Sequence, residues 1–241
     1  HIIRTFVRLN HFQGMSSRID MVGDAIPMWI ADKVIHHGAE ATVTSGSWLG
    51  RSAVLKMRTP RAYRHPDLDR RLTRKRLSVE ARVLTKLYNS NIPTPSLLDF
   101  DLDGGWMLLS LIKGRPLYEA LNDGSAGLDE ISKFGGLIRH LHEQNFSHGD
   151  LTTHNVLIDD EGHLTLIDFG LAKIVPEVEQ LGLDLQVLSE CLTASHYRIE
   201  SALDVMIDGY QSADSGGVDV PSANEVINRF NSIRSRVRYH A

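Results

Sequence analysis

The residues most able to do chemistry are one polar run and an acid that follows it. The run reads HGDLTTHN and covers residues 148–155, and a DFG sequence begins at Asp168, 13 residues after Asn155. Carboxylate and carboxamide oxygens are ligands that Mg²⁺ prefers, and a further carboxylate can orient an acceptor hydroxyl group. The residue types and their spacing therefore favour phosphoryl transfer, with Asp150 facing the acceptor and Asn155 and Asp168 holding a metal ion.

Two charged residues upstream complete the candidate set. Lys56 ends a β-rich Val-Leu-Lys sequence, and Glu80 lies on the helix predicted after it. A buried lysine that binds nucleotide phosphates needs an anionic partner to hold its side chain, and Glu80 can supply one. We therefore predict Lys56, Glu80 and Asp150 as catalytic residues. The alternative is that Lys56 and Glu80 form an ordinary surface ion pair and that residues 148–155 are only a turn before a hairpin.

The elements that must position these residues change character along the chain. Short β-rich runs punctuated by glycine dominate its first part, and a helix predicted over about 69–88 separates three of them from a hairpin. The predicted strands cover residues 33–38, 42–48, 52–57, 96–101 and 106–112. This order predicts a small β-rich N-terminal lobe.

The second part of the chain has mainly helical patterns. A hairpin in it folds the chain back, so that Asp168 is predicted to return beside Asn155. The predicted elements are a short helix opening at Pro116, helices at 128–146, 178–196, 198–211 and 222–236, and short strands at 156–159 and 164–167. Together the two parts predict an α+β, bilobal fold whose reduced C-terminal lobe is α-rich and joins the first lobe near residues 111–114.

Composition limits the class of protein. The chain has 241 residues, of which 42% are hydrophobic and 23% are charged, which is enough for two packed lobes with a core. No apolar run approaches the roughly 18–20 residues that a membrane-spanning helix needs. The single cysteine, Cys191, excludes an internal disulfide framework. We expect a cytoplasmic protein that does not contact a membrane.

Charge is unevenly distributed on a chain whose formal net charge is −4. Residues 51–76 and the last turns of the chain, at 229–238, are both rich in arginine and lysine. Two basic segments on an acidic body favour anionic partners, either nucleic-acid phosphates or an acidic protein surface. A solvated helix face and a frayed tail are the alternative explanation.

Taken together, Lys56, Glu80, HGDLTTHN and IDFG resemble the protein-kinase superfamily over about residues 33–236. Further segments are similar to one small atypical branch, the kinase subunits of the KEOPS (EKC) complex, which are PRPK-like and akin to the RIO kinases. These segments are residues 56–58 (KMR), 63–69 (YRHPDLD) and 76–82 (RLSVEAR).

This resemblance implies ATP and Mg²⁺ as cofactors, weak serine/threonine-directed autophosphorylation, and ATPase activity. In that family the activity supports the threonylcarbamoyl-adenosine modification of tRNA. The implied partners are the threonylcarbamoyl-transferase subunit of the complex, a small subunit on the N-terminal lobe, and tRNA at the basic segments. Lys56, Asn155 and Asp168 would bind the nucleotide and its metal ion. Adenine would meet the backbone of the hinge residues Leu109, Ser110, Leu111 and Ile112.

The chain departs from typical kinases at two places that matter for mechanism. Its candidate phosphate loop has one glycine, in Gly38-Ala39-Glu40, so we expect Gly38 and Glu40 to hold phosphates more loosely than a glycine-rich loop would, or with a different shape; a plain hairpin turn at Gly38 is the alternative. Gly149 stands where many kinases have an arginine that binds an activation-loop phosphate, and residues 171–183 contain no Ser, Thr or Tyr. We therefore predict control by a partner rather than by phosphorylation of that stretch.

The N-terminus and two rival functions stay open at this point. Residues 1–32 are either the tail of a fused transferase subunit or include residues added ahead of a start at Met15; residues 33–112 and 113–241 are the predicted lobes. One rival is a small-molecule phosphotransferase of the aminoglycoside or choline kinase type, which shares the HGD motif but carries a large helical insertion. The other is a non-catalytic scaffold with a kinase fold, which would not need all five polar residues.

Overall fold

A computed structural model describes residues 26–38, 41–59, 65–217 and 219–238, and the chain divides into two compact units. The first unit runs to Leu77 and resumes over Leu97–Leu111, and the second comprises Ser78–Ser96 and the chain from Ile112 onward. Most of the predicted extension at residues 1–32 lies outside the described residues. The predicted division at 32/33 and 112/113 stays a prediction.

A five-stranded antiparallel sheet forms the first unit, in the order β1-β2-β3-β5-β4. Because side chains alternate along a strand, Leu55 and Met57 of β3 share one face and pack with Trp29 and Leu108 in a hydrophobic cluster, while Lys56 belongs to the other face. The strands are β1 (Trp29–His37), β2 (Ala41–Trp48), β3 (Arg51–Arg58), β4 (Leu97–Asp101) and β5 (Trp106–Ser110).

The first strand begins earlier than the sequence predicted. β1 starts at Trp29 rather than at Lys33, and Trp29 pairs with Trp48 of β2. Ile26 and Trp29 are buried in the cluster beneath the sheet, at 3% and 8% exposure. The burial of these two side chains, which a strand pattern starting at residue 33 could not include, accounts for the difference.

Helices make up most of the second unit. Helix α1 (Pro66–Leu87) begins in the first unit and ends in the second. Beyond it, α3 packs on α5 and α4 packs on α6. The remaining helices are α2 (Leu117–Asp123), α3 (Leu128–Glu143), α4 (Val178–Ser195), α5 (Ala202–Ser212) and α6 (Ala223–Arg238). A sheet followed by helices confirms the predicted α+β fold. Within the described ranges, none of the helices has the length and apolar character to cross a membrane.

Two small sheets lie among these helices and carry the loops of interest. One has the order β6-β8-β9 and the other pairs β10 with β7, and all of their strands are antiparallel. The strands are β6 (Arg115–Pro116), β7 (Phe146–Ser147), β8 (Val156–Ile158), β9 (Leu164–Leu166) and β10 (Lys173–Ile174). The loop from β7 to β8 holds residues 148–155, and the loop from β9 to β10 holds Asp168, so the two sheets fix the ends of both loops.

Candidate active site

The loop between β7 and β8 holds Asp150 and Asn155 against each other. Asn155 Nδ2 donates to the backbone oxygen of Asp150 at 2.8 Å and to its carboxylate Oδ2 at 3.1 Å. Leu151, between them, is fully buried and anchors the loop, whereas Asp150 is exposed. Since the amide nitrogen of Asn155 is engaged with Asp150, its carboxamide oxygen is the atom that could bind a cation.

The β8–β9 hairpin brings Asp168 back beside this loop, as the sequence predicted. Val156 pairs with Leu166 in the hairpin, and the backbone N–H of Ile167 donates to the oxygen of Asn155 at 3.0 Å. Asp168 itself has a φ of 63°, a left-handed conformation that is uncommon outside glycine. Its carboxylate accepts a hydrogen bond from the N–H of Gly170 at 3.3 Å. This local turn keeps a strained acid at a fixed place next to Asn155.

Asp184 of α4 braces the start of the β7–β8 loop. Its two carboxylate oxygens accept hydrogen bonds from the backbone N–H groups of His148, at 2.7 Å, and Gly149, at 2.8 Å. This geometry makes Asp184 a brace for the backbone of the loop rather than a plain charge on the helix. Asp184 is 1% exposed, so its hydrogen bonds are stronger than they would be in water.

A buried histidine and tyrosine extend this brace into the helical core. His142 Nε2 lies 3.2 Å from Asp184 Oδ2, and its Nδ1 lies 2.8 Å from the hydroxyl of Tyr210. A neutral imidazole with its proton on Nε2 satisfies both contacts, since it donates to Asp184 and accepts from Tyr210. Burial raises the pKa of Tyr210 far above its ordinary value of 10, so the hydroxyl keeps the proton that it donates. No local pattern in the sequence indicates this network, because its members are 26 or more positions apart along α3, α4 and α5.

His148 is a structural residue of the loop rather than a ligand. Its ring is fully buried and packs on Phe169 with 4.9 Å between ring centroids. His148 Nε2 lies 3.0 Å from the backbone oxygen of Ile167, to which it donates. The DFG segment and the HGD segment are therefore joined by one buried side chain. His154, by contrast, is exposed and stacks on Tyr118 at 3.9 Å.

Gly149 allows the two segments to touch through their backbones. It has a φ of 81°, and a Cβ atom built on it would lie 2.3 Å from the backbone oxygen of Leu171. No side chain fits at that distance, so the arginine of typical kinases has no space here. Pairing of Lys173 with Ser147 continues the contact beyond this point.

The candidate residues of the first unit are placed as follows. Lys56 on β3 is 6% exposed and lies opposite Val43 and Met107 in the sheet. Gly38 closes the turn after β1 by donating its N–H to the oxygen of Ala41 at 3.0 Å, and Glu40 lies outside the described residues. Leu109 and Ser110 end β5, and Leu111 N–H lies 3.4 Å from the oxygen of Ser52. The nucleotide-binding roles of these residues stay predictions.

In the second unit, Glu80 is fully buried on α1, and Ile112 is the first residue after β5 to belong to that unit. Glu80 is therefore in the interior, and the alternative that it serves as a surface charge is wrong.

The donor set fits a magnesium ion that is shared with a nucleotide. Among the described residues, no three or more His, Cys, Asp or Glu side chains come together as a metal site of their own. Asn155 Oδ1 and the Asp168 carboxylate offer two hard oxygen ligands. Mg²⁺ usually takes one or two protein carboxylates or equivalents and completes its octahedron with phosphates and water. The site residues therefore suit Mg²⁺ bound together with ATP rather than a metal held by protein alone.

Comparison with known proteins decides the family. The family model described as "Protein kinase domain" matches residues 67–205, which include the HGD and DFG segments. The chain belongs to the protein kinase family. This confirms the predicted family and, with the relatives given next, its EKC/KEOPS-type branch.

Among curated relatives, the kinase is 31% identical over 217 residues to the EKC/KEOPS complex subunit Tp53rkb of Mus musculus, with 86% of each chain covered. It is 33% identical over 207 residues to a probable bifunctional tRNA threonylcarbamoyladenosine biosynthesis protein of Methanothermobacter thermautotrophicus. That alignment covers 86% of this chain and 36% of the relative, so the kinase spans little more than a third of the bifunctional protein.

Among solved structures, the kinase superposes on the Rio2 kinase of Chaetomium thermophilum, which was solved as a complex with ADP, Mg²⁺ and phosphoaspartate. The TM-score is 0.60 at 16% identity, over 92% of this chain and 75% of that one. At this identity the likeness concerns the fold, and it agrees with the sheet and helices described above.

Proposed function

We propose that this kinase is the ATP-dependent kinase and ATPase component of a KEOPS-type assembly that supports threonylcarbamoyl-adenosine modification of tRNA. The observation that carries the proposal is the joined arrangement of Asp150, Asn155 and Asp168, in a chain that aligns with 86% of an EKC/KEOPS kinase subunit. A scaffold would have no need of an Asn–Asp hydrogen bond that orients an exposed carboxylate, nor of a strained acid beside it.

In the proposed mechanism, Asp150 orients the acceptor, which is a serine hydroxyl or a water molecule. Asn155 Nδ2 donates to Asp150 Oδ2 and so fixes the rotation of the carboxylate, leaving Oδ1 to accept the acceptor's proton. The carboxamide oxygen of Asn155 and the carboxylate of Asp168 would hold Mg²⁺, and Lys56, with Glu80, would bind the nucleotide phosphates. Bound Mg·ATP supplies the phosphoryl group and the positive charge that offsets charge developing in the transition state.

The adenine and phosphate-loop contacts are part of the same proposal. Backbone groups of Leu109, Ser110, Leu111 and Ile112 would meet adenine, and Gly38 and Glu40 would lie along the phosphates. The segment between β1 and β2, residues 38–40, has one glycine, so we expect fewer backbone N–H contacts to phosphate than in a glycine-rich loop.

The proposed partners are a threonylcarbamoyl-transferase, joined or separate, a small subunit on the first unit, and tRNA. Support for an anionic partner comes from the exposed basic face of α1. Arg70 and Arg74 are paired with Asp67 and Asp103, whereas Arg71 and Lys75, one helical turn apart, have no acidic partner within the described part of the chain. Two unpaired charges on one face suit phosphates.

The decisive experiment follows the γ-phosphate of labelled ATP with the purified kinase, alone and with the transferase and tRNA. We expect label in water to increase with both partners and to disappear in Asp168→Ala, while Asp204→Ala, an exposed acid on α5, leaves it unchanged. Label transferred mainly to a small alcohol would instead identify the aminoglycoside or choline kinase type. Full tRNA modification by Asp150→Ala would identify a scaffold.

Binding of tRNA is tested by charge reversal. We expect Arg71→Glu/Lys75→Glu to weaken tRNA binding and to reduce the dependence of log K on log[salt] by about 2, since roughly one counterion is released per phosphate contact. The control is Lys133→Glu/Arg198→Glu, which makes the same change in net charge at exposed positions elsewhere. An unchanged salt dependence would mean that the basic face of α1 does not contact tRNA phosphates, and would favour an acidic protein surface as its partner.

A further inference from the structure

The turn that links Asp150 to Asn155 is tied to helix α4 through one buried side chain. Thr153, in this turn, is fully buried. Its hydroxyl lies 2.9 Å from Nε2 of His196 and 3.4 Å from Sγ of Cys191. Cys191 lies in the last turns of α4 and His196 directly follows the helix. The middle of the β7–β8 loop is therefore attached to the end of this helix.

His196 is held in place by the backbone on both of its sides. It ends α4 by donating its N–H to the oxygen of Leu192 at 2.9 Å, and its own oxygen accepts from the N–H of Ile199 at 2.9 Å. The residue is 3% exposed. An imidazole fixed in this way is a rigid reference point for whatever it binds.

The surroundings of the ring select its protonation state. Nδ1 of His196 is buried and has no hydrogen-bond partner among the described residues. A buried N–H without an acceptor is less favourable than a bare ring nitrogen, so the proton belongs on Nε2. Nε2–H then donates to Thr153 Oγ1, which in turn can donate its own proton toward Cys191 Sγ. In this assignment the Nε2–H of His196 and the hydroxyl of Thr153 both have acceptors.

We infer that His196 is a positioning residue of this kinase: its neutral Nε2–H tautomer holds Thr153 and thereby fixes the turn that carries Asp150 and Asn155. The inference rests on the proposed phosphoryl-transfer function, to which it adds a residue that touches neither substrate nor metal.

The other groups around His196 agree with a neutral ring. Tyr118 meets it edge-on at 5.3 Å and stacks on exposed His154 at 3.9 Å. Burial, and then the positive charge that His154 can carry, both lower the pKa of His196 below its ordinary value of 6.5. Thr153 and Tyr118 contact the ring, and His154 is the charged group that acts on its pKa; none of these three is a carboxylate, which would favour the charged form.

Kinetics of hydroxyl and ring variants test the inference. We expect Thr153→Val and His196→Phe each to lower kcat for ATP turnover roughly tenfold or more, with a much smaller change in the KM for ATP, because a displaced loop misaligns groups without removing nucleotide contacts. Thr153→Ser, which keeps the hydroxyl, should retain near-normal kcat. Thr193→Val, an exposed position on the same helix, is the matched control. The double variant should be no worse than the worse single variant.

A second measurement does not depend on activity. Nitrogen-15 NMR of histidine-labelled, full-length kinase at pH 7.5 should show His196 as the Nε2–H tautomer, and Thr153→Val should shift its Nε2 resonance. If the wild-type kinase turns over no ATP, the proposed function is wrong. The NMR measurement still tests the hydrogen bond between His196 and Thr153 in that case.

The inference is overturned by any of three results. These are an Nδ1–H tautomer in the folded protein, a Thr153→Ser variant as impaired as Thr153→Val, and single-variant losses that multiply in the double variant. Thermal unfolding of every variant distinguishes these results from a failure to fold.

Discussion

Gly149 matters because it has no side chain, which lets the backbone of Leu171 approach it closely. Kinases with an arginine at this position use its charge to hold the following segment, whereas here the backbone of Leu171 comes so close that only a hydrogen atom fits. Residues 171–183 offer no hydroxyl group for phosphorylation. We therefore expect that formation of this contact does not depend on phosphorylation of residues 171–183.

Adding one methyl group at Gly149 should show how much this contact matters. Gly149→Ala and Gly124→Ala both place alanine at a φ near 80°, which costs about 1 kcal/mol. Nothing lies within 4 Å of a Cβ at Gly124, whereas a Cβ at Gly149 would overlap Leu171. We expect Gly149→Ala to lower the free energy of unfolding in urea by about 3 kcal/mol or more and to reduce turnover, with Gly124→Ala near 1 kcal/mol. Equal losses would mean that the two segments can separate at little cost.

Asp184 can be tested by an isosteric change. Asp184→Asn keeps the shape but presents an NH₂ group to one of the two backbone N–H donors of His148 and Gly149. We expect a loss of about 2–3 kcal/mol in the free energy of unfolding, as for a lost hydrogen bond to a buried charge, together with lower kcat. Asp204→Asn, exposed in the first turn of α5, should lose less than 1 kcal/mol. A wild-type stability for Asp184→Asn would contradict the brace.

For single residues, the sequence could predict the candidate catalytic and metal-binding side chains. It could not predict most of the residues that hold those side chains in position. Asp150, Asn155 and Asp168 lie in short motifs whose spacing is dictated by a loop and a hairpin. The contact between Thr153 and His196 spans 43 positions, and nothing in the pattern of either segment indicates the other. Cys191, which lies beside that contact, is half-buried.

Helices and strands were predicted well where a periodic pattern was long enough. The helix predicted over 128–146 is Leu128–Glu143, and the hairpin at 156–167 has its two strands within one residue of their predicted ends. Strands of two residues, such as Phe146–Ser147, have no detectable period and were not predicted. They exist because the loops around them are fixed by tertiary contacts.

The crossing of α3 and α5 offers a test with two adjacent glycines. A Cβ on Gly135 would lie 2.1 Å from the oxygen of Met206 on α5, whereas one on Gly136 would make ordinary contacts beginning at 3.5 Å. We expect Gly135→Ala to lose about 3 kcal/mol or more of unfolding free energy. Gly136→Ala should gain up to about 1 kcal/mol, since alanine is the better helix former. Circular dichroism during chemical denaturation measures both, and a destabilised Gly136→Ala would show that the crossing leaves no room on that side either.

For the whole molecule, the buried His196 predicts a pH dependence of stability. Its pKa in the folded state is below the ordinary value of 6.5, so between these two pH values the unfolded chain binds more protons than the folded one. The free energy of unfolding should therefore fall as the pH drops below 6.5 and gain nothing from this residue above it. In urea titrations at pH 7.5, 6.5 and 5.5, His196→Phe should show a shallower decline than the wild type. Parallel curves would mean that the histidine ionises freely in the folded protein.

The family of the whole molecule was predictable because five polar residues, Lys56, Glu80, Asp150, Asn155 and Asp168, occur in a specific order along the chain. The start of the sheet was harder to predict from the sequence, since Ile26 and Trp29 become part of the core only through contacts with β3 and β5. Partners and acceptor are outside what either motif or fold determines.

The chain passes between the two units at 77–78, at 96–97 and at 111–112. A fragment that ended after residue 111 would therefore contain the whole first unit and residues 78–96 of the second. The rest of the second unit, from residue 112 onward, would be missing. Ala81, Val83, Leu84 and Leu87, all buried in the intact protein, lie in residues 78–96, and such a fragment should aggregate or be degraded. No single cut of the chain therefore separates the two units, because each unit is built from two stretches that alternate along the sequence.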